Sequence, residues 1–327
     1  MRYKPLGKTG IETSEYGLGT WAMGGGIYGT ADDAESIRTI HRAQDLGVNF
    51  LDTAPMYSIS QHQDGRAEEI IGEAIKGRRD KWIVATKFGR HLNGNPDWWN
   101  MIEDYSGKRA IESTELSLKR MKTDYLDVLF VHSPPAQLFH PEDAFEGMEK
   151  LKKDGKIRAL GFSFWGSVED TLAQVEPFLR SGVLEVVQVI VNLLSTDAED
   201  HLFPVIRETG TGVVAREALA NSFLTDSFTA EGPFDPQDGK AGMKKEDIQA
   251  KLDKANAFKF LVEPDKGIPS LPAAALNWVV SHPEVSNVIP GSKTVEEIEQ
   301  CLTAADATPF SSEEMAEVRK IQESWSE

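Results

Sequence analysis

The feature that most constrains the fold is a regular alternation of short apolar runs with amphipathic stretches of helical period. Eight segments are predicted as strands: residues 16–21, 49–52, 82–86, 125–131, 157–162, 186–191, 212–215 and 286–290. The helices predicted to follow them span residues 33–46, 66–76, 108–121, 141–153, 167–181, 198–208, 271–281 and 295–304. Continuous apolar runs are typical of parallel strands buried on both faces, so eight such β/α units predict an α/β fold, the (β/α)₈ TIM barrel.

Three segments lie outside this alternation. Residues 3–6 and 11–16 predict an N-terminal β-hairpin, and an amphipathic helix near 311–324 closes the chain. The connections 88–107 and 219–268 are long enough to predict functional loops at the C-terminal face of the barrel, although the polar stretch 229–245 also fits a surface insertion. No shift in composition marks a boundary, so residues 1–327 are predicted to form a single domain.

Charge and composition exclude several classes of protein. The chain of 327 residues has a formal net charge of -17, whereas nucleic acid and anionic membranes bind basic surfaces. No apolar run is as long as a membrane span, and the N-terminus lacks the pattern of a signal segment. The single cysteine, Cys301, excludes an internal disulfide and a multi-cysteine metal cage. We therefore expect a cytoplasmic protein with neither nucleic acid nor membrane as its partner.

Polar side chains stand at the ends of three successive predicted strands, where (β/α)₈ barrels build their active sites. Asp52, Lys87 and His132 end the second, third and fourth strands, and Tyr57 follows Asp52 across a turn at Pro55. Lys87 near the phenol would favour the phenolate, and Asp52 would keep Lys87 charged and oriented. His132 would orient a substrate carbonyl or join the proton relay. Such a positioned general acid is worth about 10²–10⁴-fold in rate.

Each of these residues also has an ordinary structural explanation. Asp52 is compatible with a turn-initiating carboxylate, Tyr57 with a half-buried loop aromatic and Lys87 with a solvated strand end. A lone histidine such as His132 is more often a hydrogen-bonded core residue than a catalytic one. The functional interpretation is preferred because all four residues fall on the same predicted face of the barrel.

Two other motifs concern phosphate binding. Gly17 and Gly19, followed by glycines at 24–26, lack the helix and the acidic residue of a dinucleotide-binding Rossmann motif and predict a strand-end turn. Residues 288–294 end the eighth strand and open the last barrel helix, so their backbone N–H groups and Lys293 predict a phosphate site, with a simple helix cap as the alternative. The sequence has no HExxH motif and no His/Cys cluster, so no catalytic metal is expected.

Over almost its whole length the sequence resembles the aldo-keto reductase superfamily. The resemblance is carried by Gly17-Leu18-Gly19-Thr20-Trp21, Leu51-Asp52-Thr53-Ala54, Ala85-Thr86-Lys87, Thr123-Asp124-Tyr125-Leu126-Asp127 and Ile289-Pro290-Gly291-Ser292-Lys293. It implies a (β/α)₈ barrel that interconverts carbonyls and alcohols with NADP(H) or NAD(H). It also implies that Tyr57 is the proton donor and that Asp52, Lys87 and His132 complete a catalytic tetrad.

The same resemblance implies the binding residues. The cofactor set is Gly19, Thr20, Trp21, Asp52, Ser163, Gln188, Arg216, Glu217, Leu219, Asn221, Gly291, Ser292, Lys293, Glu297 and Gln300. The substrate set is Trp21, Met23, Tyr57, Phe88, Trp98, His132 and Phe164, with Trp99 beside it.

The cofactor set departs from the family pattern at several positions. Phe164 replaces an asparagine that binds the nicotinamide amide, and Arg216 replaces an aromatic that stacks on the nicotinamide, a role that a guanidinium plane can also fill. Gln300 and Cys301 replace the usual adenine-binding pair. Lys293 suits the 2′-phosphate and Glu297 opposes it, so the sequence predicts NADP(H) as the preferred cofactor and NAD(H) as the alternative.

Two other functions fit the same motifs. One is a regulatory, cofactor-sensing module of the potassium-channel β-subunit type, which keeps the tetrad. The strong negative charge and the absence of a segment before the barrel favour a free enzyme acting on a small carbonyl or alcohol. The other is an isomerase, which would act without net change in NAD(P)H.

Overall fold

The structure, a computed structural model, describes residues 1–25, 31–58, 63–92, 94, 101–226, 228–232, 234 and 239–325. Its strands are β1 (Tyr3–Pro5), β2 (Glu12–Ser14), β3 (Leu18–Gly19), β4 (Phe50–Asp52), β5 (Ile83–Phe88), β6 (Arg90–His91), β7 (Ile102–Glu103), β8 (Leu126–His132), β9 (Ile157–Ser163), β10 (Val186–Ile190), β11 (Gly212–Arg216) and β12 (Asn287–Val288). Its α-helices are α1 (Asp33–Asp45), α2 (Arg66–Ala74), α3 (Gly107–Met121), α4 (Pro141–Lys153), α5 (Val168–Ser181), α6 (Phe203–Thr209), α7 (Lys245–Asn256), α8 (Leu271–Ser281), α9 (Val295–Cys301) and α10 (Ser312–Glu323).

Eight parallel strands form one curved sheet in the order β3-β4-β5-β8-β9-β10-β11-β12. The first and last strands meet through two isolated parallel bridges, Tyr16 with Val288 and Gly19 with Gly291. The Gly19 N–H also donates to the Pro290 carbonyl at 2.9 Å. Helices cover the outside of the sheet, so the predicted (β/α)₈ fold is confirmed.

The interior of the barrel is filled by one apolar side-chain cluster to which most of the strands contribute. The members contributed by the strands and by Ile289 beside β12 are Phe50, Ile83, Ala85, Val128, Phe130, Ala159, Val186, Val214 and Ile289. Leu6 and Ile11 of the β1–β2 connection complete the cluster, and both are buried. The predicted N-terminal hairpin therefore plugs the bottom of the barrel, and this leaves the opposite end for polar groups.

The predicted element boundaries differ from the structure in a few places. The stretch predicted as one helix, 198–208, is a π-helical turn, Ala198–Leu202, followed by α6, because Pro204 has no N–H for a continuous helical ladder. The insertion 219–268 contains the helix α7, and the loop 88–107 carries the small antiparallel pair β6–β7. Among the described residues, no helix has both the length and the apolarity to cross a membrane.

Helices α3 and α4 approach each other through two glycines. A Cβ built on Gly147 would lie 2.5 Å from the Gly107 Cα, and one on Gly107 would lie 2.3 Å from the Asp143 carbonyl oxygen. The Gly107 N–H donates to the Asp143 carboxylate at 2.9 Å, which fixes the start of α3 on α4. Only residues without a side chain permit this backbone contact.

We therefore predict that Gly147→Ala lowers the free energy of unfolding by about 1–3 kcal/mol, because the two helices must separate. The matched control is Gly242→Ala, where nothing lies within 4 Å of the added Cβ, and we expect a change within about 0.5 kcal/mol. Urea denaturation of the two variants measures the difference. Equal stabilities would show that the helices adjust without cost.

Candidate active site

The four predicted catalytic side chains lie together at the carboxyl end of the barrel. The Lys87 ammonium donates to both carboxylate oxygens of Asp52, at 2.8 and 2.7 Å, and to the phenol oxygen of Tyr57 at 3.1 Å. It also donates to the Thr53 carbonyl at 2.9 Å. The ring of His132 stands edge-on to that of Tyr57, with 6.1 Å between the centroids. Lysine, carboxylate and phenol therefore form one hydrogen-bonded unit, with an imidazole beside it.

Strand register explains this convergence. Asp52 on β4 pairs with Ala85 on β5, so that Lys87 lies two residues further along β5 and on the same side of the sheet. The Tyr57 N–H donates to the Ala54 carbonyl at 3.1 Å, and this turn brings the phenol back over the strand ends. The indole of Trp21 stacks on the phenol with an interplanar angle of 16° and so fixes the plane of the ring.

Burial and charge decide the protonation state of each group. Burial raises the pKa of Tyr57, and the neighbouring charge of Lys87 opposes that rise without cancelling it. Burial alone would lower the pKa of Lys87, but the Asp52 carboxylate outweighs this, and the pKa of Lys87 is raised. Burial, assisted by the charge of Lys87, holds the pKa of His132 well below its usual value. Near neutral pH the site therefore presents a phenol, an ammonium and a neutral imidazole.

The direction of the hydrogen bonds leaves one proton available. An ammonium has donors only, so in the contact with Lys87 the Tyr57 oxygen is the acceptor. The hydroxyl proton of Tyr57 is not used in this contact, and Lys87 is placed to stabilise the phenolate left after proton transfer. This arrangement is chemically that of a general acid with a fixed cation behind it.

A polar chain extends from Asp52 across the ends of β9 and β10. The Gln188 amide donates to Asp52 Oδ1 at 2.7 Å, and the Ser163 hydroxyl donates to Gln188 Oε1 at 3.3 Å. Ser133 continues the chain, with its hydroxyl oxygen 3.1 Å from that of Ser163. Of the residues predicted to bind cofactor, Gln188 is therefore hydrogen-bonded to Asp52 of the predicted tetrad, and Ser163 is linked to Asp52 through Gln188.

Arg216 ends β11 beside this chain. Its Nη2 donates to the Phe164 carbonyl at 2.8 Å, and its Nη1 pairs with the Glu217 carboxylate. Glu217 is in turn held by the side-chain amide of Asn221 at 3.2 Å. Leu219, also predicted to bind cofactor, is partly buried against the main core. These predicted cofactor residues thus form a second group, next to the Ser163–Gln188 chain.

The third group of predicted cofactor residues lies where β3 meets the start of α9. Gly19 bridges Gly291, and the Thr20 hydroxyl donates to the Asp52 carbonyl at 2.9 Å. Ser292 is buried, with its hydroxyl 3.7 Å from the Cys301 sulfur. Gln300 turns away from this group, since its amide donates to Glu296 on its own helix at 3.2 Å.

Two carboxylates occupy backbone donors at the start of α9. Glu297 Oε2 accepts from the Lys293 N–H at 2.7 Å, and Glu35 Oε1 on α1 accepts from the Val295 N–H at 3.0 Å. The Val295 N–H holds the pKa of Glu35 below its usual value, so this carboxylate is ionised at neutral pH. The phosphate site predicted at residues 288–294 thus has an acidic oxygen on its Lys293 N–H, and a second one on the adjoining Val295 N–H.

The residues predicted to contact substrate do not form one surface. Trp21 and His132 flank the phenol of Tyr57, whereas Met23, Phe88 and Phe164 are almost completely buried in the main apolar core. Phe164 packs against Phe162, with 5.1 Å between the ring centroids. Trp98 and Trp99 lie outside the described residues.

Reasoning from sequence missed two residues of the site. Ser133 directly follows His132 and adopts a left-handed backbone with φ of 49°, which turns its hydroxyl toward Ser163. Its position between a strand end and two prolines is a signal that pointed to it. Glu35 carried no such signal, because it reaches α9 from 260 positions away in the chain.

Comparison with known proteins supports the same assignment of fold and class. A model of the aldo/keto reductase family matches residues 15–323. The aldo-keto reductase YhdN of Bacillus subtilis (strain 168) is 32% identical over 99% of this chain and 94% of its own length. The NADH-specific methylglyoxal reductase of Escherichia coli (strain K12) is 28% identical over 97% of this chain and 99% of its own.

A solved structure shows the same architecture. The glycerol dehydrogenase AKR11B4 from Gluconobacter oxydans superimposes with a TM-score of 0.79 at 30% identity, and the match covers 95% of this chain and 92% of that one. The predicted family is thus confirmed by sequence and by structure. The chain belongs to the aldo/keto reductase family and is an oxidoreductase of the kind that reduces carbonyl groups.

Proposed function

We propose that this chain is an NAD(P)H-dependent enzyme that reduces an aldehyde or ketone to an alcohol, or runs the reverse reaction, with Tyr57 as general acid. The observation that carries the proposal is the hydrogen bond from the Lys87 ammonium to the Tyr57 oxygen, with Asp52 holding the ammonium from behind. A buried lysine with a purely structural role could be satisfied by the Asp52 carboxylate and the Thr53 carbonyl. Here the ammonium also donates to the phenol oxygen, and the hydroxyl proton of the phenol stays available.

The residues around the phenol fit a nicotinamide cofactor. Among the described residues beside Tyr57, the buried atoms His132 Nδ1 and Arg216 Nε have no hydrogen-bond partner, as expected for a site that a polar ligand completes. Ser163, Gln188 and Arg216 would hold the nicotinamide end, and Gly19, Gly291 and Ser292 would line the other end. When bound, the reduced cofactor supplies the hydride that the carbonyl carbon accepts.

The protein's part of the reaction is proton transfer. Tyr57 gives its hydroxyl proton to the carbonyl oxygen as that oxygen gains negative charge, and the resulting phenolate remains on the Lys87 ammonium. Asp52 keeps Lys87 charged, and neutral His132 borders the same space and orients the carbonyl oxygen. In alcohol oxidation the same groups act in reverse, with the phenolate of Tyr57 accepting the proton.

We further infer that NAD(H) binds more tightly than NADP(H), contrary to the preference predicted from sequence. That prediction depended on Ser292 and Lys293 at the start of α9. Two backbone N–H groups there are occupied by the carboxylates of Glu297 and Glu35. A 2′-phosphate would have to displace one carboxylate and lie against both negative charges. The naming of one similar protein as NADH-specific agrees with such a preference within the family.

We also propose that the partner is a small carbonyl or alcohol and that the protein is located in the cytoplasm. Consumption of NAD(P)H with aldehydes distinguishes this enzyme from a regulatory subunit that only senses cofactor and from an isomerase.

Replacing the proposed acid tests the central role. We predict that Tyr57→Phe lowers the rate of carbonyl reduction by about 10²–10⁴-fold, because the proton donor is lost while the ring still stacks on Trp21. Cofactor affinity should stay near the wild-type value. Steady-state kinetics and cofactor titration measure the two effects, and Tyr3→Phe, an exposed tyrosine on β1, is the matched control. Unchanged turnover in Tyr57→Phe would refute the role.

Removing the cation behind the phenol tests the second role. Alcohol oxidation needs the phenolate, and Lys87 favours that form, so Lys87→Met should raise the pKa of Tyr57 further. We expect the pH–rate profile of oxidation to move to higher pH. The control is Lys81→Met, at an exposed lysine paired with Asp80.

Because Lys87→Met leaves Asp52 buried without its cation, the double variant Asp52→Asn/Lys87→Met provides a neutral background for the same measurement. A profile that stays in place in both variants would mean that Lys87 is structural only.

Cofactor preference is tested at the two carboxylates. We predict a lower Kd for NADH than for NADPH in the wild-type chain, and a gap that narrows by about tenfold or more in Glu35→Gln/Glu297→Gln, because the repulsion of the 2′-phosphate is removed. Fluorescence titration measures both constants. Glu296→Gln is the matched control, since Glu296 lies in the same first turn of α9 and accepts from the Gln300 amide. Tighter NADPH binding by the wild-type chain would restore the sequence-based prediction.

A further inference from the structure

We propose that Arg216 biases the cofactor site toward the reduced nicotinamide by placing a fixed cation beside it. The inference rests on the proposed function, because it needs a nicotinamide next to Tyr57. It adds a preferred redox state of the bound cofactor, which the family assignment does not supply.

The position of Arg216 follows from the strand ends. Residue 216 closes β11 and pairs with Ile190 of β10, two residues beyond Gln188. Its guanidinium crosses to β9, where it donates to the carbonyl of Phe164, the residue after Ser163. The cation therefore spans the ends of three adjacent strands, on the wall that carries the Ser163–Gln188 chain.

The guanidinium of Arg216 is fixed by hydrogen bonds that do not use all of its donors. Nη2 and Nη1 have partners, whereas the buried Nε has no hydrogen-bond partner among the residues that the structure describes. The side chain is only 15% exposed, so water screens its charge weakly. An ordered guanidinium with a spare buried donor is suited to a ligand that lies against it.

The charge of Arg216 is felt at the reacting groups. Burial raises the pKa of Tyr57 and lowers the pKa of His132; the charge of Arg216 opposes the first shift and adds to the second. A hydride donor and the acid at Tyr57 must reach adjacent atoms of one carbonyl bond, so the nicotinamide must lie within a few ångströms of Tyr57. A cation whose field reaches Tyr57 therefore also acts on that ring.

The two redox forms of the nicotinamide ring differ in charge, so the charge of Arg216 acts on them differently. Reduced nicotinamide is neutral and oxidised nicotinamide carries a positive charge. A fixed cation in a poorly screened site thus destabilises the oxidised form and leaves the reduced form unaffected. Glu217 opposes the effect, because its carboxylate pairs with Arg216 Nη1 and has a second partner in Asn221.

The experiment measures the ratio of two dissociation constants, for the oxidised and the reduced cofactor, at one pH and one ionic strength. In the wild-type chain we expect the reduced form to bind more tightly. Arg216→Met should shrink the ratio by about tenfold, equivalent to about 30 mV in the potential of the bound two-electron couple. Glu217→Gln should change it in the opposite direction, because the cation is then less neutralised.

Two controls separate charge from shape. Arg216→Lys keeps the charge but not the planar fork, and its ratio should stay near the wild-type value. Arg207→Met removes another arginine that pairs with a carboxylate, Glu284 at 2.6 Å, on an exposed surface, and should leave the ratio unchanged. If Arg216→Met does not fold, the increase expected in Glu217→Gln remains a full test.

The outcomes distinguish this inference from the proposed function. If the wild-type chain binds neither form of NAD(H) or NADP(H), the proposed function fails. If both forms bind but the ratio is the same in wild type, Arg216→Met and Glu217→Gln, the cofactor site stands and the role of Arg216 is overturned. A ratio that falls in the first variant and rises in the second supports it.

Discussion

The buried ion pair between Lys87 and Asp52 is the interaction on which the site depends. Two charges removed from water are stable only if nearly every hydrogen-bonding position is filled. The ammonium fills its positions with the Asp52 carboxylate, the Thr53 carbonyl and the Tyr57 phenol, and the carboxylate gains a further donor from Gln188. The phenol therefore helps to stabilise the buried ion pair. The same hydrogen bond, from the Lys87 ammonium to the Tyr57 oxygen, also determines the reactivity of the phenol.

This pair also divides the barrel into two environments. Below it lie the apolar side chains that fill the barrel, closed at the bottom by Leu6 and Ile11. Above it, polar side chains from four strands are linked in sequence from Lys87 to Ser163. The apolar plug thus closes one side of the polar layer, and burial together with neighbouring charges sets the protonation of Tyr57, Lys87 and His132.

Much of this was predictable from sequence, because the information is local. Parallel strands that are apolar throughout can be recognised as continuous apolar runs in the sequence. A carboxylate, a lysine or a histidine at the end of such a run can be recognised in the same way. The features that could not be predicted from sequence depend on contacts between residues far apart in the chain or on burial. Glu35 accepts from the Val295 N–H of α9 although it lies on a helix far away in the sequence, and this contact supports the proposal that NAD(H) is preferred. The pKa of Tyr57 depends on how completely the phenol is enclosed, so Lys87 alone predicted a lowered value where burial raises it.

The closure of the barrel has a consequence for its dynamics. Strands β8 and β9 pair along six residues each, whereas the first and last strands are joined by the two bridges at Tyr16 and Gly19. Opening free energies within a protein follow such differences in local bonding, so amide hydrogens along this seam should exchange by opening events smaller than global unfolding. The seam is also where Gly19 and Gly291 meet, so a ligand bound across them would bind only the closed barrel. Its affinity would then protect this seam from opening.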